Sequence, residues 1–87
     1  MSEETPRPSR FVGLDVHKHY LVAYALDGDL NRSFGPQRVP LENLEPWCEK
    51  RLTHEDAVAL EVTTNALQLH DELLPHVHSV TVVHPPH

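Results

Sequence analysis

The stretch that decides the fold is Phe11-Val12-Gly13-Leu14-Asp15-Val16-His17-Lys18, followed by Tyr20-Leu21-Val22-Ala23-Tyr24-Ala25-Leu26 and the turn dipeptide Asp27-Gly28. An apolar run with one carboxylate near its end, a break, and a second apolar run before Asp-Gly predict a strand, a tight connection and a hairpin. Asp15 is the odd residue. A carboxylate inside a run fit for a buried strand costs several kcal/mol unless it is paired, hydrogen-bonded or bound to a cation. Asp15 is therefore the first candidate functional residue.

Working outward, strand one runs from about Arg10 to Val16, and His17-Lys18-His19 is the connection or a bulge. Strand two, Tyr20 to Leu26, places Tyr20, Val22, Tyr24 and Leu26 on one face and Leu21, Ala23 and Ala25 on the other, a pattern that suits cover on both faces. Asp27-Gly28 predicts a two-residue hairpin turn. The return strand, Leu30 to Phe34, is polar enough for a sheet edge, and Gly35-Pro36 ends it. Leu44, Trp47, Cys48 and Leu52 share one helical face, which predicts a short helix over about Leu44 to Leu52. Asn43 is its cap, and Pro46 falls in its first turn, where a missing N–H loses no partner. The unbroken run Ala57-Val58-Ala59-Leu60 predicts a central parallel strand covered on both sides, and it too ends on a carboxylate, Glu61.

Thr63, Thr64 and Asn65 are competent caps for a second helix whose buried face draws on Ala66, Leu67, Leu69, Leu73 and Leu74 until Pro75 stops it. Val77, Val80, Val82 and Val83 make a last, β-branched strand, on which His76 and His78 would share a face. The expected order is β-β-β-α-β-α-β, an α/β fold with a mixed sheet. The first nine residues read as a flexible tail, and residues 10–87 as one unit that stops at His84-Pro85-Pro86-His87 before the sheet is fully covered.

Composition narrows the function classes. A chain of 87 residues with a formal charge of −6 lacks the basic footprint that drives autonomous nucleic-acid binding, so any such role rests on a local site. Nothing in the sequence approaches the roughly 20 apolar residues of a membrane span, and no signal-peptide pattern opens it. Cys48 is the single cysteine, which excludes an internal disulfide and a Cys-based zinc site and agrees with a reducing, cytoplasmic setting. The eight histidines do not fall into a metal-ligand spacing. Trp47, Phe34 and Cys48 read as core.

Three antiparallel strands followed by α-β-α-β, with an acid ending strand one and another ending strand four, describe the start of a ribonuclease-H-like sheet. There, strands one and four lie side by side and parallel, so Asp15 and Glu61 would meet at one edge, close enough for a divalent cation to bridge them. The plainer reading makes Asp15 a turn acid and Glu61 a cap for the next helix.

Gly13-Leu14-Asp15-Val16-His17-Lys18 resembles the opening motif of the DEDD transposases of insertion sequence family 110, which are similar to pilin-gene invertases and contain a domain resembling the RuvC Holliday-junction resolvase. Ala59-Leu60-Glu61-Val62-Thr63 resembles that family's glutamate motif, and Val82-Val83-His84-Pro85-Pro86 its Val-Val-Asn-Pro-Pro segment. The likeness runs from Phe11 onward. It implies that Asp15 and Glu61 are catalytic and metal-binding, that the cofactor is Mg²⁺ or Mn²⁺, and that the activity is cleavage and joining of DNA strands in transposition, with a guide RNA as a further partner. It also implies that the family's two later aspartates and its serine-bearing C-terminal domain lie outside this chain, which would by itself be inactive and prone to self-association. Thr64 departs from the family's usual glycine and His84 from its usual asparagine. The competing class is a non-catalytic nucleotide- or protein-binding domain with an actin- or sugar-kinase-like start, although Val16-His17-Lys18 follows the aspartate where that group resembles Asp-x-Gly-x-Thr.

Overall fold

The computed structural model describes residues 8–62 and 67–83. Along them lie β1 (Arg10–Val16), β2 (Tyr20–Asp27), β3 (Arg32–Pro40), a 3₁₀ turn (Leu41–Asn43), α1 (Leu44–Arg51), β4 (Asp56–Glu61), α2 (Leu67–Leu73), a second 3₁₀ turn (Leu74–His76) and β5 (Ser79–Val83). The five strands form one mixed sheet in the order β3-β2-β1-β4-β5. β1 is central, antiparallel to β2 and parallel to β4. β3 runs antiparallel to β2, and β5 runs parallel to β4. This is the α/β arrangement expected from the order of the elements.

Side-chain alternation assigns the two faces. Val12 and Leu14 of β1, Leu21, Ala23 and Ala25 of β2, Val39 of β3 and Val58 and Leu60 of β4 point to one side, where Leu44, Trp47 and Cys48 of α1 and Leu73 of α2 bury them in a single core. Each fully buried Val or Leu contributes about 1.5–3 kcal/mol. Phe34 packs on this core with its ring edge-on to Trp47, 6.2 Å between centroids, and the Trp47 indole N–H donates to Gln37 Oε1. These aromatics hold β3 to α1. They are not stacking platforms for a ligand.

The other face is open. Phe11 and Tyr24 are each 45% exposed, and they help line a shallow apolar cavity of about 320 Å³ with Leu26, Ala57 and Thr81. Two expectations are corrected here, that β2 is covered on both faces and that Ala57–Leu60 is doubly covered. The burial of β4 alternates strictly and Ala59 is exposed, because both helices pack on one side. Small alanines on the wet face made an alternating strand look like a continuous apolar run.

The hairpin also differs from expectation. The chain turns through four residues, with the Asp27 carboxylate accepting from the backbone N–H groups of Asp29 and Asn31. The positive φ falls at Leu30 (65°) rather than at Gly28. An Asp that ties its own turn replaces the tight Asp-Gly reversal. β3 consequently begins at Arg32 and continues through Gly35-Pro36 to Pro40 instead of stopping. Gly35 takes φ 88° at a register irregularity opposite β2, a bulge in an edge strand, where a proline's missing N–H is tolerated. A Cβ at Gly35 would overlap the Ala23 carbonyl oxygen as well as require an unfavourable φ. We expect Gly35→Ala to destabilise the protein by about 2 kcal/mol, measured by urea unfolding. A loss below 0.5 kcal/mol, on the order of an ordinary surface change, would show that the bulge relaxes freely.

Smaller corrections concern the ends of the elements. Asn43 occupies the N-cap of α1 but makes no side-chain capping bond, since the preceding 3₁₀ turn already delivers the chain into the helix. Pro75 sits within the second 3₁₀ turn rather than halting α2, and Leu74 is exposed. β5 starts at Ser79, so His76 and His78 share no strand face. His76 donates to Glu45 at 3.0 Å. Ser9, read as part of the tail, is tied to Glu55 through its backbone N–H and its hydroxyl, both at 2.8 Å. Thr63, Thr64, Asn65, Ala66 and His84 lie outside the described residues. Among those described, no helix is long and apolar enough to cross a membrane.

Candidate functional site

β1 and β4 run parallel with Arg10 opposite Asp56 at one end and Asp15 opposite Glu61 at the other. Asp15 and Glu61 are thus direct register partners, one inter-strand spacing of about 4.8 Å apart at the backbone, and both are exposed. The intervening positions alternate, so the odd-numbered Phe11, Gly13 and Asp15 all face the open side. A slip of one residue would turn a carboxylate into the core. The two acids reach the same side because each sits an odd number of residues from a buried neighbour that anchors its strand.

Gly13 completes the floor. A Cβ there would overlap the ring of its cross-strand partner Tyr24, which lies flat across the glycine. Gly13, Asp15, Tyr24, Ala59, Glu61 and Val83 consequently enclose a cavity of about 180 Å³ around the two acids. The glycine of the sequence motif admits this ring.

Beside the acids, His17 Nε2 donates to Asp15 Oδ2 at 3.2 Å, and the His17 ring stacks on Tyr20 with centroids 4.7 Å apart. The guanidinium carbon of Arg38 lies 3.8 Å from the centroid of the same Tyr20 ring. Across the sheet, Arg38 pairs with Val22, Val22 with Asp15, Asp15 with Glu61 and Glu61 with Val83. The open face therefore carries a row with a cation near one end and two carboxylates near the other. Sequence reasoning singled out His17 and missed Tyr20 and Arg38 as its neighbours, because β3 was ended before residue 38. Lys18 is exposed in the turn.

The donor set suits a hard divalent cation. Among the described residues no three His, Cys, Asp or Glu side chains gather as a metal-binding group. Two carboxylates alone would leave a hard divalent cation to complete its shell with water or other oxygen ligands. Cys48 offers no alternative chemistry. It is buried in the core, and burial, reinforced by Glu45, pushes its thiol up to about 12.

At the far end of the β1–β4 ladder is a pair that sequence reasoning missed altogether. Asp56 is fully buried, and its carboxylate accepts from Arg10 Nε at 2.7 Å and Arg10 Nη2 at 2.8 Å, with the Thr53 backbone N–H as a third donor at 2.8 Å. The one local signal was an acid opening an apolar run three residues after a threonine. Comparison of the chain with known protein families, with curated proteins and with solved structures returned no match.

Proposed function

We propose that this chain supplies the first aspartate and the glutamate of a DEDD-type site, Asp15 and Glu61, in a ribonuclease-H-like, RuvC-like domain of a transposase that cuts and joins DNA strands with Mg²⁺ or Mn²⁺, guided in the intact protein by an RNA. The observation that carries the reading is the in-register placement of Asp15 and Glu61 on adjacent parallel strands at one open edge. The order β3-β2-β1-β4-β5 is the one a ribonuclease-H-like sheet requires, and the sequence resemblance points the same way.

In this reading a bound divalent ion would supply Lewis-acid chemistry toward a phosphodiester. Asp15 and Glu61 supply anionic oxygens that would hold it. Tyr24, lying across Gly13, lines one side of the cavity. His17 orients the Asp15 carboxylate through Oδ2.

The test is Mn²⁺ titration followed by amide NMR, without and with single-stranded DNA. Broadening should concentrate at Asp15, Glu61 and their strand neighbours. DNA should tighten Mn²⁺ binding, and Mn²⁺ should tighten DNA binding by the same factor, because linkage is reciprocal. Broadening centred on the histidines instead, or Mn²⁺ affinity indifferent to DNA, would sink the proposal.

A further inference from the structure

The two edges of the sheet are built differently. β3, at one edge, carries the exposed Arg32 and Arg38, the prolines Pro36 and Pro40 and a bulge at Gly35. Each of these features keeps another strand from adding on. β5, at the other edge, reads Ser79-Val80-Thr81-Val82-Val83. It has no charge, no glycine and no proline, and it keeps unbroken register with β4 along its whole length. Among the described residues no strand pairs with its outer side. Such an edge is a template for a further strand.

The hydrogen bonds show which backbone groups are free. The Val62 N–H donates to the Val83 carbonyl, so Val83, and by alternation Thr81 and Ser79, turn their backbone groups toward β4. Val80 and Val82 turn theirs outward, while their side chains pack on the core. The unpaired N–H and C=O groups therefore belong to two valines placed symmetrically about Thr81, which is exposed.

We propose that β5 pairs with β5 of a second copy of this chain, antiparallel about a twofold axis at Thr81, so that two five-stranded sheets become one continuous sheet. The outward groups fix that register. Val80 of one copy and Val82 of the other form a hydrogen-bonded pair on each side of the axis, each pair exchanging both of its N–H to O=C bonds. Thr81 then faces its own counterpart at the narrow, non-hydrogen-bonded position between them, where a Thr–Thr pair is favourable. On the core side the partly buried Val80 and Val82 meet each other across the axis, apolar against apolar. This self-match selects a second copy as the occupant. The same strand reversed supplies every contact the edge needs, and none of the charges of a chain that carries −6 lies on it. The twofold consumes both β5 edges and leaves only the obstructed β3 edges outside, so assembly closes at the dimer instead of growing into a fibre.

The test is sedimentation velocity of the full chain at concentrations up to about 1 mM, enough to populate even a weak one-strand interface, with amide hydrogen exchange followed by NMR at both ends of the range. A monomer–dimer equilibrium is expected. The Val80 and Val82 amides should slow in proportion to the dimer fraction, while Thr81, already bonded to β4, should change little. T81E and T81K each set like charges opposite each other across the axis and should weaken dimerisation about tenfold or more. An equal mixture of the two variants should restore the dimer, as a pair of opposite charges. A charge at this exposed position is compatible with a free edge, and urea unfolding checks that each variant folds; if one does not, exchange at Val80 and Val82 of the unaltered protein decides. A monomer at every concentration would leave the edge to a strand of some other protein and overturn the proposal. So would a dimer in which the Val80 and Val82 amides stay fast, which places the contact on the open face, as would charged variants that dimerise like the original or species that grow beyond the dimer.

Discussion

Arg10→Met should destabilise the protein by about 3–5 kcal/mol, the range for removing one partner of a buried ion pair. Asp56 has no exposure, and Arg10 supplies two of the three hydrogen bonds its carboxylate accepts. Met fills a similar volume and can still pack on Phe34, whose centroid lies 5.2 Å from the guanidinium carbon. It leaves the buried carboxylate with the Thr53 N–H alone. The Arg51 carbonyl, which accepts from Arg10 Nη2 at 2.6 Å, also loses its donor. The hydrogen bond to Asp56 raises the Arg10 pKa above its ordinary value, with burial opposing. A raised pKa means stability that is present below the ordinary value and lost only as pH rises further, so the pair holds throughout the neutral range. A chain of this size buries only about 60% of its unfolded surface and has little stability in reserve, so Arg10→Met should be partly unfolded at room temperature. Arg10→Met with Asp56→Leu should recover much of the loss, since replacing both partners by apolar groups is often close to neutral. Urea unfolding with an unchanged slope measures both. A single-variant loss under 1 kcal/mol would reduce the pair to the standing of a surface salt bridge.

The pair matters beyond stability because it sits at the foot of the ladder that has Asp15 and Glu61 at its head. Four residue pairs lie between these two ends of the six-pair β1–β4 register. Arg10 opposite Asp56 fixes it at one end, and Val12, Leu14, Val58 and Leu60, all buried, hold the phase between. The same register sets which oxygens meet at the open edge.

What the sequence made legible and what it hid divide along a physical line. Local chemistry was readable. Asp15 and Glu61 each interrupt an apolar run near its end, and the strand order follows from the alternation of strand and helix patterns, so their juxtaposition could be argued before any coordinates. Leu44, Trp47 and Cys48 gave α1 within one residue by their spacing. Long-range partnerships were hidden. Arg10 and Asp56 are 46 residues apart, and nothing in either neighbourhood names the other. The stack of Arg38 on Tyr20 is hidden because Gly35-Pro36 reads as a strand end, although a glycine at positive φ makes the same dipeptide a bulge. The open face was hidden because Ala57 and Ala59 are apolar whether or not anything covers them. The valines of β5 illustrate the same point. Val80 and Val82 pack on the core, while the exposed Val83 faces the open side, so a charge at Val80 or Val82 would report on folding rather than on self-association.

Mg²⁺ should stabilise the protein against urea by about 2.7 kcal/mol at one hundred times its dissociation constant, and Asp15→Asn should abolish that gain. The argument has two steps of opposite sign. Without metal, Asp15 and Glu61 are like charges directly opposite each other on one face, a placement that is destabilising by roughly 0.2–1 kcal/mol. Both are exposed, with the Asp15 side chain 51% accessible, so solvent keeps the effect at the lower end. Asp15→Asn removes the repulsion and still offers His17 an oxygen to accept its N–H, so the metal-free variant should be as stable as the original or slightly more so. With metal, the original gains because the ion binds only where the fold brings the two carboxylates together. The unfolded chain holds them 46 positions apart and has no such affinity. An amide oxygen at position 15 is a far weaker ligand for a hard cation, so the variant's midpoint should not move with Mg²⁺, and Glu61→Gln should behave alike. Two outcomes are fatal. If Asp15→Asn loses more than about 1 kcal/mol without metal, Asp15 is a structural acid satisfied by His17; if it gains from Mg²⁺ as much as the original does, the ion binds elsewhere.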